Sequence, residues 1–429
     1  MKRDLKALIG QMTLEEKASL CSGSDFWHTQ GIERLGIPAV MGTDGPHGLR
    51  KQDETGDHMG INDSIKAVCF PAGCATASSF DRGLVERMGK ALGNECQAEN
   101  VGVLLGPAVN IKRSPLCGRN FEYYSEDPYV AGEMAASFIQ GVQSQQVGTS
   151  IKHFYANNQE HRRMSSSSEM NARTAREISL AAFERPIRKA KPWTVMCAYN
   201  RFEGEPCCSN KQLLIRILRE DWGYDDIVVS DCGAIGDFYY PNHHETHPTA
   251  AAASADAVVS GTDLECGGSY SSLNEAVRKG LISEEKINES VFRLLRARFQ
   301  LGMFDDDALV SWSEIPYSVV ESKEHVAKAL EMARKSMVLL TNKNHTLPLS
   351  KSIRKVAVLG PNANDSVMLW ANYNGFPTKS VTILEGIKSK LPEGTVYYEK
   401  GCDYVNTQTV FSYFDCCSYN GKKGFKATF

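Results

Sequence analysis

The chain has 429 residues with a hydrophobic content of 42%, which is too long for one ordinary domain and predicts two or three, each with its own core. The formal net charge of −3, spread over interspersed acidic and basic residues, offers no basic field and excludes nucleic acid and anionic membranes as expected partners. Thirteen cysteines, odd in number and without a C-x-x-C pair, predict reduced thiols rather than a disulfide scaffold or a zinc site.

The first residues of the chain are charged. Lys2, Arg3 and Asp4 stand where a signal peptide needs an apolar run, and the apolar residues nearby follow helical spacing. No stretch of the sequence is apolar for long enough to span a bilayer. We therefore expect a cytoplasmic protein without an export signal. The sequence is compatible with a homo-oligomer and does not specify the oligomeric state.

Short runs of β-forming residues alternate with amphipathic helical stretches between about residues 35 and 300, which is typical of an α/β protein with a parallel sheet. Most of these runs lead into polar residues, and their number favours a TIM-type (β/α) barrel over an open doubly wound sheet. The dinucleotide fingerprint and the phosphate-binding lysine loop are both missing from the sequence. Strands are expected at residues 37–41, 101–105, 150–154, 193–198, 227–230 and 261–265, and helices at 131–145, 173–190, 210–221 and 287–299, with Pro186 marking a kink or an early stop.

A second α/β domain is expected after the barrel. We assign residues 1–304 to the barrel, residues 305–320 to a polar linker, and residues 321–412 to the first part of the second domain. That domain is predicted to begin with a helix at 321–336 and a strand at 355–360. The last residues, 413–429, stop in what reads as the middle of a strand, so we expect the chain to be a fragment of a longer protein.

Asp231 ends the short buried strand that is predicted at residues 227–230. Parallel α/β proteins place their chemistry at the carboxyl ends of strands, because the loops there vary while the strands hold the side chains rigidly. An aspartate in this position also suits the cap of the following helix. The segment alone leaves both interpretations open.

Other polar residues at or near successive strand ends are of a kind that suits a sugar. Asp44 can accept hydrogen bonds from two vicinal hydroxyls, while Arg119, Lys152 and His153 can donate to others. Tyr199 can donate to a neighbouring carboxylate. A lone histidine or lysine is usually a surface or core residue, but five such residues together predict a carbohydrate pocket.

Several segments of more than one residue follow one another in a fixed order: 42–48 (GTDGPHG), 113–128 (RSPLCGRNFEYYSEDP), 152–160 (KHFYANNQE), Ser230 with Asp231, 333–342 (ARKSMVLLTN) and 360–363 (GPNA). Together they closely resemble glycoside hydrolase family 3. The resemblance covers essentially the whole chain, and matches of several residues each make it more specific than any single motif. It implies a TIM-type barrel followed by an α/β sandwich domain, with residues 413–429 as the start of an inserted β-sandwich.

The resemblance implies a retaining β-glycosidase that hydrolyses terminal non-reducing β-D-glucosyl residues of small or oligosaccharide substrates without a cofactor. Asp231 would be the nucleophile that attacks the anomeric carbon and carries the covalent glycosyl-enzyme. The charges of Lys152, Arg119 and His153 would keep its carboxyl group ionised. The residues implied to form the sugar pocket are Asp44, Arg119, Lys152, His153, Met196 and Tyr199.

Retention also needs a second carboxyl group about 5 Å from the nucleophile, as acid and then as base. In the β-glucosidase branch this glutamate lies in the second domain, so we expect it beyond Phe429, and no residue of this chain matches it. Glu122, Glu126 and Glu160 fall in segments that the family uses for structure. The loop at 155–160 lacks the His/Asp arrangement of the branch that cleaves N-acetylglucosaminides, so that branch is not expected.

The chain mixes features of two branches. A tryptophan usually follows the nucleophile in the glucosidases, whereas Cys232 does so here, and residues 261–267 also look more like the β-xylosidase branch. Residues 44–48 and 157–160 look like the glucosidase branch. We expect a glucoside, because the residue that matches Asp44 contacts the sugar directly in the family, and a β-xyloside is the alternative.

Two further hypotheses differ in class from a β-glycosidase. A non-catalytic sugar-binding fragment would keep the pocket but lack the acid/base. A metal-dependent hydrolase would use His243 and His247, but Pro241 and Pro248 flank them, so a loop is expected rather than a helix that brings both to one face. Zinc usually needs a third protein ligand as well, so no metal site is expected.

Overall fold

The computed structural model describes residues 4–52, 64–404, 418–419 and 422–423. They pack into two compact units, which are Met1–Val338 with Ala371–Thr378, and Leu339–Trp370 with Lys379–Phe429. The predicted linker and domain boundaries stay predictions. None of the helices that the structure describes is both long enough and apolar enough to cross a membrane.

Strands and helices alternate along the first unit. Its strands are β1 (Gly42–Asp44), β2 (Val103–Leu105), β3 (Gly148–Phe154), β4 (Ser167–Ser168), β5 (Thr194–Cys197), β6 (Arg201–Phe202), β7 (Glu205–Pro206) and β8 (Ile227–Val229). Its helices are α1 (Leu5–Ile9), α2 (Leu14–Leu20), α3 (Gly73–Ala77), α4 (Arg82–Ala98), α5 (Pro128–Gln143), α6 (Ala172–Thr174), α7 (Ala181–Ala190), α8 (Ala250–Val259), α9 (Leu273–Arg278), α10 (Glu284–Gln300) and α11 (Lys323–Lys335). Two further stretches, Ala175–Ser179 and Gln212–Asp221, are π-helical.

A parallel sheet with the order β1, β2, β3, β5, β8 forms the centre of this unit. Its middle strand, β3, is buried along its whole length and pairs with β2 on one side and β5 on the other. Past β8, single bridges join Val229 to Leu264 and Ser22 to Glu265, so the strand order continues toward the N-terminal segment. The α/β prediction is confirmed, and the carboxyl ends of the parallel strands lie at one rim.

The first predicted strand is displaced toward the C-terminus. Ile37 pairs antiparallel with Ile32, so most of the segment 37–41 closes a local turn instead of joining the sheet. The sheet strand begins at Gly42, which pairs with Val103 of β2.

The sixth predicted strand, at 261–265, is reduced to bridges. The carboxylate of Asp263 accepts the N–H of Val228 at 2.9 Å, and this side-chain bond takes the place of a ladder carbonyl. A regular strand therefore does not form there.

The predicted helices are present, with different ends. Helix α5 begins at Pro128 because the Asp127 side chain caps it and proline is favoured at the first helical position. Helix α7 continues past Pro186 to Ala190, so the early stop does not occur. Pro186 is buried there, although it has no N–H to donate to the helix.

One carboxylate joins three helices on the outside of the sheet. Glu133 of α5 pairs with Arg82 of α4 at 2.7 Å, and with Arg185 at 3.2 Å and Lys189 at 2.8 Å, both of α7. The Glu133 side chain is 6% exposed, whereas its three partners are 42–60% exposed. These ion pairs link α4, α5 and α7 around the buried carboxylate of Glu133.

The second unit is a smaller α/β assembly of β9 (Lys355–Leu359), α12 (Ser366–Trp370), α13 (Ile383–Lys390), β10 (Thr395–Glu399), β11 (Ser418–Tyr419) and β12 (Lys422–Lys423). β9 and β10 pair in parallel, and Val358, Ala363 and Leu384 form a small core. β11 and β12 pair antiparallel. Apart from these four residues, the predicted start of a β-sandwich at 413–429 lies outside the described residues.

A short segment from the C-terminal part of the sequence, Ala371–Thr378, packs with the first unit. The N–H of Ala67 donates to the carbonyl of Phe376 at 3.1 Å. Gly48 and Gly375 lie so close together that a Cβ on Gly48 would overlap the backbone of Gly375. This close approach requires glycine, and it fixes the segment, which we call the strap, against the loop after β1.

Candidate active site

Asp231 lies two residues beyond the end of β8, on the rim where the strands end. The segment around Leu264–Cys266 fixes its backbone, because Ser230 donates to the carbonyl of Leu264 at 2.9 Å and accepts the N–H of Cys266 at 3.1 Å. The Asp231 carboxylate accepts the N–H of the next residue, Cys232, at 2.8 Å. A helix cap would instead bind N–H groups two or three residues further on, so the geometry does not favour the capping interpretation.

The electrostatic surroundings of Asp231 act in opposite directions. Burial raises its pKa above the usual value, whereas the charges of Arg119, Arg163 and Lys152 and the N–H of Cys232 lower it. Its side chain is 15% exposed, so it remains accessible from the rim. The net effect is a pKa above that of a free aspartate, and the nearby cations stabilise the ionised form of Asp231.

Lys152 and His153 are adjacent on β3, and both reach the site. The register of β3 against β5 shifts between Ile151 and Phe154, and such an irregularity breaks the alternation of side chains across a strand. The buried Asn110 side chain compensates for the lost ladder bonds, since it accepts the His153 N–H at 2.8 Å and donates to the His153 carbonyl at 2.9 Å.

Asp44, at the end of β1, lies between two cations. Its two carboxylate oxygens are 3.4 Å from Lys152 Nζ and 3.4 Å from Arg50 Nη1. All three side chains are almost fully buried. Because both contacts are long, the carboxylate keeps acceptor capacity for a hydroxyl pair of a ligand.

Arg119 links His153 to an acidic neighbour. Its guanidinium forms a close ion pair with the buried Glu122 and donates from Nη2 to His153 Nε2 at 2.9 Å. Burial opposes the charge of Arg119, but Glu122 and the other groups nearby raise its pKa well above the usual value. Arg119 is therefore a fixed cation of the site.

His153 does not supply the positive charge that the sequence predicted. Burial and the charges of Arg119, Lys152 and Arg163 lower its pKa well below the usual value, so the ring is neutral at neutral pH. Since Arg119 can only donate, His153 Nε2 accepts and the proton is on Nδ1. His153 Nε2 is 3.9 Å from the Asp231 carboxylate, so it lies beside the acid without charging it.

Tyr199 adjoins Asp231 and has a cation on its face. Its hydroxyl donates to the carbonyl of Cys232 at 2.7 Å. Burial and then the charge of Asp231 raise the Tyr199 pKa well above the usual value. Arg163 Cζ is 4.4 Å from the ring centroid, and Arg163 Nη1 lies 2.8 Å from Glu160 Oε2. The sequence did not point to Arg163, which stands in a charged loop and reads there like a surface residue.

Met196 occupies a different environment from the other predicted pocket residues. It is buried on β5 and lines an apolar cavity of about 110 Å³ together with Val103, Leu105 and Val229. Cys232 lines the same cavity. The structure therefore brings Asp44, Arg119, Lys152, His153 and Tyr199 into one charged cluster around Asp231, whereas Met196 lines a separate apolar cavity that none of these residues lines.

Two of the cysteines are paired, so the prediction of reduced thiols is wrong for them. Cys232 and Cys266 form a disulfide with Cα atoms 4.5 Å apart. Val229 bridges to Leu264, and Gly233 donates to the carbonyl of Cys266, so the backbone itself brings these segments together. The bond joins the residue after Asp231 to the next segment of the rim.

A second acidic residue lies near Asp231. The pKa of Asp237 is raised to about 6, first by burial and also by the charge of Asp231, although His243 acts to lower it. His243 Nδ1 is 2.5 Å from Asp237 Oδ1. His247 pairs instead with Asp256 at 3.3 Å, so the two histidines of the metal hypothesis have different partners.

No metal centre emerges from the described part of the chain. Residues 241–244 form a turn, as expected from the flanking prolines. Among the described residues, no group of three or more His, Cys, Asp or Glu side chains is placed to hold a metal ion.

Tyr373 is a residue of the site that the sequence did not indicate. It belongs to the strap, and its ring centroid lies 5.0 Å from Arg119 Cζ, 5.0 Å from Lys152 Nζ and 5.7 Å from Arg50 Cζ. No local pattern marks it, because more than 200 residues of sequence separate it from Lys152.

The comparisons with known proteins agree over nearly the whole chain. The models of the glycosyl hydrolase family 3 N-terminal and C-terminal domains match residues 7–297 and 337–424. A thermostable beta-glucosidase B of Acetivibrio thermocellus is 50% identical over 364 residues, which are 84% of this chain and 45% of the relative. A xylan 1,4-beta-xylosidase of Xylanibacter ruminicola is 38% identical over 439 residues, covering 98% of this chain and 50% of the relative.

A solved structure supports the same fold. The beta-glucosidase from Kluyveromyces marxianus in complex with glucose has a TM-score of 0.79 and 35% identity, covering 92% of this chain and 46% of that one. The predicted TIM-type barrel followed by the beginning of an α/β sandwich is confirmed. The chain spans about half the length of the curated relatives it matches.

Proposed function

The chain belongs to glycoside hydrolase family 3, and we propose that it acts as a retaining β-glycosidase on terminal non-reducing β-D-glucosyl residues. One observation carries the proposal. Asp231 stands at a strand end, accessible from the rim, with the cations Arg119, Arg163 and Lys152 close enough to lower its pKa. An accessible carboxylate among cations and hydroxyl-binding groups suits attack on a sugar.

The proposed reaction has two steps. In the first, a carboxylate oxygen of Asp231 attacks the anomeric carbon, the bond to the leaving oxygen breaks, and a glycosyl ester forms. The leaving oxygen takes a proton from a general acid unless it leaves as a stable anion. In the second, water attacks the same carbon, gives its proton to the general base, and frees the carboxylate. Two inversions retain the β configuration.

The sugar hydroxyls would meet the charged cluster. Asp44 accepts, while Lys152 and Arg119 donate, and each keeps unused hydrogen-bonding capacity because their mutual contacts are few or long. The neutral His153 and the hydroxyl of Tyr199 add two groups that can adjust their hydrogen bonds. Met196 stays a predicted pocket residue, since the cavity that it lines is not lined by these charged residues.

We assign the acid/base to none of the described residues. Glu122 is buried against Arg119, and Glu160 is bound to Arg163 at 2.8 Å, so both are held in ion pairs. The proposed glutamate of the second domain would lie beyond Phe429, so the test of the nucleophile must not depend on it.

Covalent labelling tests the proposal without an acid catalyst. Incubation with 2,4-dinitrophenyl 2-deoxy-2-fluoro-β-D-glucoside should release one equivalent of dinitrophenol and add one fluoroglucosyl group, located on the peptide that contains Asp231. A folded protein that stays unlabelled, or that is labelled elsewhere, contradicts the nucleophile assignment. Binding of glucose without labelling would favour the non-catalytic sugar-binding fragment.

A β-xyloside is the second candidate substrate. Cys232 follows the nucleophile where glucosidases usually have tryptophan, and its disulfide to Cys266 lies at the site. The similar xylan 1,4-beta-xylosidase adds to this possibility. Labelling with the 2-fluoro β-xyloside, run in parallel with the 2-fluoro β-glucoside, distinguishes the two substrates. The compound that inactivates the protein faster carries the preferred glycosyl group.

We also propose that the protein acts in the cytoplasm, since nine of the described cysteines are free thiols, as a reducing compartment favours. The Cys232–Cys266 disulfide argues in the other direction, since reducing compartments disfavour such bonds. Cell fractionation, with alkylation of free thiols before lysis, reports both the location and the state of the pair.

A further inference from the structure

The strap carries an aromatic side chain onto the charged cluster. Within Ala371–Thr378, Tyr373 lies with its ring over Arg119, Lys152 and Arg50. Phe121 stacks on the same ring with centroids 6.3 Å apart and an interplanar angle of 24°. The ring is therefore contacted by three cations and one aromatic neighbour, all of the first unit.

The backbone holds this ring in place. Gly375 lies against Gly48 without room for a Cβ, and the Phe376 carbonyl accepts the N–H of Ala67 at 3.1 Å. Farther along the strap, Thr378 is hydrogen-bonded to Glu321. Contacts on the C-terminal side of Tyr373 thus anchor the strap by its backbone, and the ring position does not depend on a flexible side chain alone.

A sugar cannot lie between Tyr373 and the cations. The ring centroid is about 5 Å from Arg119 Cζ and Lys152 Nζ, which is a direct contact with no space for a pyranose. The sugar must lie beside the ring, so Tyr373 bounds the pocket on that side.

The two ends of the cluster have different neighbours. His153 and Tyr199 adjoin Asp231, whereas Arg50 and Lys152 adjoin Asp44. Tyr373 contacts both cations of the second pair, and among the described residues of the first end it contacts only Arg119, the partner of His153. If the anomeric carbon stands at Asp231, the opposite side of the pyranose, with its C4 and C5 substituents, faces Asp44 and Tyr373. This step rests on the proposed function.

We propose that Tyr373 is a specificity-determining residue whose ring packs against the C5 substituent of the bound sugar and so selects hexosides over pentosides. A glucoside carries a hydroxymethyl group at this carbon, and a xyloside carries only hydrogen. The contact contributes to the binding of the first and is absent for the second. One methylene in a fitted pocket changes the specificity constant about tenfold or more.

The test compares two substrates on the wild type and on two variants of Tyr373, all in the full chain. With 2,4-dinitrophenyl β-glucoside and β-xyloside, the rate of the dinitrophenol burst gives the specificity constant for glycosylation of Asp231 without an acid catalyst. Tyr373→Ala should lose about tenfold or more toward the glucoside and less than about threefold toward the xyloside. Tyr373→Phe should keep the wild-type ratio within about twofold, since it keeps the ring.

Two controls separate this role from a structural one. Tyr397→Ala removes an exposed tyrosine of β10 and should leave both rates unchanged. Tyr373→Leu keeps an apolar side chain in the strap, so if Tyr373→Ala is unfolded by circular dichroism, the leucine variant provides the ratio instead, with the same direction expected.

The outcomes are distinct. Equal losses toward both substrates, or a gain toward the glucoside, would overturn the role of Tyr373 in selecting the C5 substituent. A wild-type chain that is folded but shows no burst with either substrate contradicts the proposed function itself, before any variant is compared.

Discussion

The guanidinium carbon of Arg163 lies 4.4 Å from the centroid of the Tyr199 ring, on the side of the site where Asp231 stands. The contact holds a cation in position, and Glu160 binds the same guanidinium at 2.8 Å. Arg163 lowers the pKa of Asp231 and also that of His153. One arginine thus favours an ionised Asp231 and a neutral histidine beside it.

Removal of this charge should move the pH dependence of the first step. In Arg163→Gln, the Asp231 pKa, already raised by burial, should rise further because a lowering charge is lost. On acidification, the burst rate with an aryl glycoside should therefore begin to fall at a higher pH in the variant than in the wild type. Arg162→Gln, a change in the exposed neighbouring arginine, is the matched control. An acidic limb at the same pH in both variants would contradict the role of Arg163.

Asp231→Asn should abolish covalent labelling while sugar binding persists. The amide has the shape of the carboxyl group but no anion to attack the anomeric carbon, so the burst rate should fall roughly a thousandfold or more. Intact mass after incubation with the 2-fluoro glucoside, and glucose binding by calorimetry, provide the two readouts. Asp305→Asn, on the exposed segment after α10, should behave like the wild type. A burst at the wild-type rate in Asp231→Asn would exclude this nucleophile.

The disulfide should stabilise the first unit. Cys232 and Cys266 are 34 residues apart in sequence, and closing a loop of this length contributes about 4 kcal/mol to the free energy of unfolding. Cys266→Ser should lower the urea midpoint by a corresponding amount, and a reductant should then have little further effect. Cys402→Ser, at an exposed free thiol, should change neither quantity. Alkylation of both cysteines in the unreduced, denatured protein would show that the bond is absent.

Glu133 should contribute stability that is lost in acid. Its pKa is lowered from 4.5 to about 2, first through Lys189 and also through Arg82 and Arg185. A carboxyl group with a depressed folded pKa stabilises above its unfolded pKa and loses that contribution as the pH falls toward its folded pKa. The shift corresponds to about 3 kcal/mol, and discounting for the partly exposed cations leaves about 1–2 kcal/mol.

Urea unfolding of Glu133→Gln as a function of pH checks this value. The deficit relative to the wild type should be largest above about pH 5 and should shrink between about pH 4.5 and 2. Glu184→Gln breaks an exposed pair with Arg188 and should cost less than about 0.5 kcal/mol at any pH. A deficit that does not change with pH would assign the loss at Glu133 to packing rather than to charge.

The strand ends of the barrel could be predicted because their signal is local. A few β-forming residues followed by a polar group mark β3 with Lys152 and β8 with Asp231, and the sheet places both at one rim. The first strand was displaced because residues 37–41 pair with the chain before them. Such pairing depends on neighbours that a single run of residues does not specify.

The residues that were missed depend on long-range contacts. Arg163 looks like any charged loop residue until its position over Tyr199 is known. The pairing of Cys232 with Cys266 could not be selected from thirteen cysteines by sequence spacing. Tyr373 follows the first strand of the second unit in sequence, and the contacts of the strap with the first unit place it in the cluster.

The sequence by itself determined the α/β class, the alternation of the barrel and the polar strand ends, because these follow from periodicity and from the chemistry of each residue type. Tertiary structure decided the charge of His153, the pKa direction of Asp231, the disulfide beside it and the presence of Tyr373. The physical reason is that burial and Coulomb interactions depend on distances between residues far apart in the chain, and folding alone sets those distances.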